Sequence, residues 1–215
     1  PLGDLGGPAE PEIKGVEILS QSRIFALRQF DPRATDESAR GTVTAWDRII
    51  VRFNEDYEGD RRVVFTGIFP MNVIEIRQPS NQPQGDFRRV VRAEGDQDRD
   101  PMHAQHEVIY DLSAVPIGER VTLQAMTTAT VPVTMTGHLP FFVNKRTELL
   151  TSWLLFPENM PYSTYRLVRY PADKSSPPVP MDPRFAIDHP FGSLIGWSVI
   201  TPKEGMVYEC RWTNR

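Results

Sequence analysis

At 215 residues, with 28 acidic and 24 basic side chains for a net charge of −4, the chain can bury a core without staples and lacks the basic excess of a general nucleic-acid binder. Its one cysteine, Cys210, rules out an intramolecular disulfide and so the small disulfide-scaffold class, which favours a cytoplasmic over an extracellular setting. No run approaches the ~20 apolar residues of a membrane-spanning helix and no signal-peptide pattern opens the chain, so membrane insertion is not expected.

Residues 1–11 hold prolines and glycines and little that packs, and read as a linker or disordered tail. The first residue is proline rather than methionine, so the chain is expected to be a processed or excised piece of a larger protein. Residues 12–215 read as one domain with a subdivision near Pro101 as an alternative. From Ile13 onward, short segments rich in Val, Ile, Phe, Tyr, Trp and Thr alternate with clusters of Gly, Pro, Asp, Asn and Ser. That pattern predicts many strands joined by turns.

The clearest strands are predicted over 43–53, 62–69, 72–77, 87–92, 107–112, 120–128, 163–170, 193–200 and 206–212. Two of them alternate with period two. Val121, Leu123 and Ala125 are interleaved with Arg120, Thr122 and Gln124, while Met206, Tyr208 and Cys210 alternate with Val207, Glu209 and Arg211. Such alternation implies one buried and one solvated face, as in antiparallel sheets. Gly59, Gly118 and Gly205 punctuate the turns between strands. Residues 147–156 place Leu149, Leu150, Trp153 and Leu154 at helical spacing, yet the flanking prolines and neighbouring strands favour a buried strand. The fold class is therefore all-β: an antiparallel sandwich of immunoglobulin-like or jelly-roll-like type, or two small packed sandwiches, with little helix.

Chemistry is thinly marked. Asp96, Asp98 and Asp100, with Glu107 at the twelfth place, copy the ligand spacing of a calcium-binding loop. Pro101 occupies the sixth place, where the loop needs glycine, and a strand rather than a helix follows. A solvated acidic hairpin is the plainer reading, with structural calcium the alternative. His103, His106, His138 and His189 lack the second paired motif that zinc needs, and Cys210 reads as core. Asp188, His189 and Ser193 suggest a hydrolase triad, but no strained nucleophile elbow surrounds the serine. Trp46, Trp153, Trp197 and Trp212 sit within apolar strands and are expected in the core rather than on a sugar platform.

Tyr57, Met160 and Tyr162 lie in polar, proline-flanked loops and read as exposed contact residues. In general style the chain is similar to accessory sandwich modules attached to larger bacterial proteins, with no motif that carries residues over. The expectation is a non-enzymatic recognition or regulatory module that meets another domain of its parent or a partner protein, through loop tips or by strand addition at a sheet edge. The alternative is a carbohydrate- or small-ligand-binding sandwich.

Overall fold

The computed structural model describes residues 16–30, 40–54, 61–67, 72–77, 83–90, 105–132, 136–182, 186–189 and 191–214. These form strands and turns, with no helix among the described residues, as the composition implied. A long sheet has the order β12-β13-β9-β1-β2-β7-β4. Its strands are β1 Val16–Phe30, β2 Arg40–Phe53, β4 Asn72–Arg77, β7 Arg120–Pro132, β9 Leu149–Leu155, β12 Ala186–Asp188 and β13 Leu194–Ile200. A second sheet is ordered β11-β10-β14-β8, from β11 Val179–Pro180, β10 Tyr162–Pro171, β14 Met206–Asn214 and β8 Thr136–Val143. A third joins β3 Arg62–Gly67, β6 Gln105–Asp111 and β5 Asp86–Val90.

Pairing is antiparallel except where β1 runs parallel to β9, with Ile24 opposite Trp153. The long sheet draws strands from both sides of position 101, because β1 and β2 bond to β9 and β7. One register row, Val199–Leu150–Gln21–Ile49–Leu123, crosses five of its strands on a single face. On this inner face Leu150, Leu154, Ile195, Trp197 and Val199 pack with Leu139 and Phe141 of β8, Leu167 of β10 and Cys210 of β14. Further along the same face Ile49, Val51, Val121 and Leu123 pack with Val108 and Tyr110 of β6. One sheet therefore serves two sub-cores side by side. Between them Arg23 is ion-paired to Asp47 and sits 5.0 Å over the Phe141 ring.

Residues 147–156, the segment with two readings, form the central strand β9. Leu150, Ser152 and Leu154 point inward and are buried. Leucines also line the opposite side of this strand, and that is why its period looked helical. The turns at Gly118 and Gly205 have φ of 81° and 75°, the left-handed backbone that glycine adopts without a Cβ penalty. In β7 the alternation is as predicted, with Val121, Leu123 and Ala125 buried. In β14 it is not: Val207 and Glu209, expected at a solvated face, are buried along with Tyr208 and Cys210. Val207 lies in register between Tyr170 and Phe142, while Glu209 is gripped by His138 and Arg211.

Two long strands were not marked clearly by the sequence. Inward Gln21 and Arg23 and outward Ile24 blur the period of β1. Gly137 and Pro140 make β8 look like a turn, yet an edge strand tolerates a proline without its N–H.

Candidate functional site

The two small sheets cover the inner face of the long sheet, while its outer face carries apolar side chains that are open to solvent. Register places Ile187, Gly196, Trp153, Ile24, Trp46 and Met126 in one row across six adjacent strands. Ile187 is 61% exposed and Ile24 39%; Trp153, Trp46 and Met126 are half-buried. Leu155, Leu149 and Ile200 add exposed apolar surface on the same face, two residues away or more along their strands. Isolated exposed apolar residues are ordinary, but a contiguous patch marks a contact surface.

Two features fix the aromatic groups of this row. Trp153 lays its benzo ring across Gly196, where an added Cβ would come within 2.4 Å of the ring. The glycine thus makes room for the indole on the sheet. Beyond it, the β1 register shifts between Leu27 and Gln29, and Arg28 in this bulge holds its guanidinium 5.2 Å from the Trp46 ring centroid. The next row on the same face is polar and runs Ser198, Thr151, Ser22, Arg48, Gln124.

The residues singled out from sequence fall elsewhere. Met160 and Tyr162 are not exposed contacts: both are buried, at 3% and 6%. Met160 closes the turn from β9 into β10, its N–H donating to the carbonyl of Pro157 at 3.0 Å. Tyr162 is the first residue of β10, with its ring against Phe156 and Tyr165 and its hydroxyl donating to the carbonyls of His189 at 3.2 Å and Leu194 at 3.3 Å. Burial, with the nearby Asp188 charge adding to it, pushes its phenol upward, so it is a structural anchor. Tyr57, Asp96, Asp98, Asp100 and His103 lie outside the described residues, and Glu107 is placed only by its backbone pairing in β6. Among the described residues, no three His, Cys, Asp or Glu side chains gather as a metal would require. Trp197 is core as expected, whereas Trp46 and Trp153 are not fully buried and stand on the outer face. Apolar strand context could not separate these tryptophans, because it marks a strand without saying which of its faces is covered.

Two polar clusters remain. Glu209 accepts from Arg211 at 2.7 Å and lies 2.8 Å from Nδ1 of His138. Burial works to raise its carboxyl, but the His138 and Arg211 hydrogen bonds and charges outweigh this and hold it below its ordinary 4.5. In the turn from β12 to β13, Ser193 Oγ lies 3.0 Å from His189 Nδ1, with the Phe191 ring tilted at 50° against the imidazole. This bond spans four residues and closes the turn, together with the His189 N–H donating to Leu194 at 3.0 Å. Cys210 is sealed in the core, and burial pushes its thiol up to about 12, the opposite of a reactive cysteine.

No family model and no curated protein matches the sequence. Several solved structures are similar in fold at low identity. One is a Parabacteroides distasonis protein provisionally designated a protease, at 10% identity and TM-score 0.49, covering 93% of this chain and 40% of that one. Leukotriene A4 hydrolase from Saccharomyces cerevisiae is similar at 9% identity and TM-score 0.47, over 94% and 30% of the two chains. A two-domain M1 zinc metallopeptidase follows at 9% and 0.41, over 92% and 43%. This chain thus spans less than half the length of each of these proteins. Among the described residues, no helix is long and apolar enough to cross a membrane.

Proposed function

We propose that the chain is a non-enzymatic recognition module whose binding surface is the outer face of the seven-stranded sheet. The observation that carries this reading is the register row Ile187–Gly196–Trp153–Ile24–Trp46–Met126, apolar throughout, with Ile187 and Ile24 exposed and Trp153, Trp46 and Met126 half-buried. Leaving that surface in water costs free energy that a partner recovers on docking. Strand addition at a sheet edge has less support. The edge strands β11 and β12 span two and three residues and β8 is interrupted by Pro140, which leaves the short strands β3, β4 and β5, of six, six and five residues, as the edges for it.

Two kinds of partner fit this face: a protein surface, from the parent chain or another, and a glycan stacked on the indoles. Hydroxyl-radical footprinting of the chain, in buffer and in a concentrated extract of the source cells, tests the face itself. Trp153, Trp46, Ile187 and Leu155 are expected to lose labelling in the extract. Ile117, exposed in the turn before β7, is expected to label equally in both. Equal labelling of the outer face under both conditions would sink the reading.

A further inference from the structure

Resting on that assignment of the binding face, we infer that its ligand is a linear acidic glycan lying across the strands along the Trp153–Ile24–Trp46 row. Three observations lead there. First, the two indoles occupy one row on strands separated only by β1, so their positions are about 10 Å apart at ordinary strand spacing. An extended sugar chain crossing the strands meets the Trp153 ring, then Ile24, then the Trp46 indole with the Arg28 guanidinium that lies over it. A sugar ring presents C–H groups on its faces, and these stack on an aromatic face. Trp153 is held for this purpose before any ligand arrives, since Gly196 leaves the space its ring lies across. A ring fixed in advance loses little entropy on binding.

Second, the row beside the aromatic one is polar at each of the five strands it crosses: Ser198, Thr151, Ser22, Arg48 and Gln124. The two rows are two residues apart along each strand, roughly 7 Å. A pyranose is apolar on its faces and ringed by hydroxyls. A chain stacked along the first row therefore turns its rim toward hydroxyl, guanidinium and amide groups of the second.

Third, Trp46 is flanked by two arginines. Arg28 lies over its ring and Arg48 stands exposed two residues along β2. The chain as a whole carries a net charge of −4, so this is a local concentration of cationic groups. It fits a carboxylate or sulfate on the sugar at the Trp46 end, bound in the forked geometry guanidinium offers.

Affinity electrophoresis of the intact chain tests the inference, with polygalacturonate, alginate, xylan or hydroxyethylcellulose cast into the native gel. The acidic polymers are expected to retard the chain more than the neutral ones. Trp153→Ala and Trp46→Ala should each weaken binding about tenfold or more. Arg48→Ala should erase the preference for acidic polymers, Trp153→Phe should keep part of the affinity, and Ile117→Ala should run as the parent does. Circular dichroism of each variant confirms that its fold is intact, and Trp153→Phe serves if Trp153→Ala does not fold. Parent-like retardation of both tryptophan variants overturns the inference, and equal retardation by neutral and acidic polymers overturns its acidic part. If no polymer retards the chain while the outer face is still protected in cell extract, the partner is a protein and the glycan inference alone falls. Failure of both experiments removes the binding face itself.

Discussion

Glu209 shows what a single buried charge contributes and when it stops contributing. Its side chain is 4% exposed and is held by His138 and Arg211, two partners from the same sheet. The folded carboxyl sits below its ordinary 4.5, so the unfolded chain takes up the proton more readily. Its stabilisation is therefore complete above about pH 4.5 and declines as the pH falls through the folded value. Glu209→Gln is expected to lower stability at neutral pH by about 1–3 kcal/mol, because His138 and Arg211 lose a charged acceptor. It should also flatten the acid limb of stability against pH. Glu17, held low chiefly by the Arg52 hydrogen bond, keeps some of that limb in place. Urea unfolding from pH 3 to 7 would show both effects, and a variant with the parent's acid limb would rule out this role.

At the scale of the strand, the same device appears in two sheets, on the outer face of the long sheet and on the core-facing side of the second. Gly196 of β13 lies opposite Trp153 of β9, and Gly137 of β8 lies opposite Trp212 of β14. In each pair the glycine's missing side chain is replaced by the partner's ring, since an added Cβ would come within 2.4 Å and 2.2 Å of it. Glycine weakens a strand through its backbone entropy, and a tryptophan laid across it restores packing at that position. Gly137→Ala and Gly196→Ala are each expected to destabilise by about 1–3 kcal/mol through overpacking. In the Trp153→Ala background, Gly196→Ala should cost much less, because the clash has gone. A double-mutant cycle by thermal unfolding measures this coupling, and additive costs would show that the ring does not depend on the glycine.

Across the whole molecule, the shared sheet ties two sub-cores into one. Leu150 and Leu123 belong to different clusters yet lie in one register row of the same sheet. The Arg23–Asp47 pair bridges the two: Arg23 stacks over Phe141 of β8, and Asp47 acts on Tyr110 of β6. Burial, with the charge of Asp47 adding to it, pushes that phenol up to about 12. Neither cluster can lose its half of the sheet without unpairing strands the other uses. Leu150→Ala and Leu123→Ala should each cost about 2–5 kcal/mol and shift one common unfolding transition. Far- and near-ultraviolet circular dichroism should give coincident midpoints in both variants. Two separated transitions would show that the sub-cores unfold independently.

The sequence by itself determined the all-β class, the alternation of β7 and the turns at Gly118 and Gly205, because backbone propensity, period two and left-handed glycine are local properties. It also favoured a strand for β9, despite leucines on both of its faces. Only the tertiary structure decided which face of each strand is covered. Alternation separates two sets of side chains without saying which set meets another sheet. That is why Met160 and Tyr162, in a proline-flanked segment, turned out to be buried and why Glu209 lies under its partners. It is also why Trp46 and Trp153, in strands as apolar as that of Trp197, stand on an open face. Their alignment in one row depends on β1 pairing in parallel with a strand more than a hundred residues distant, and no local signal encodes that contact.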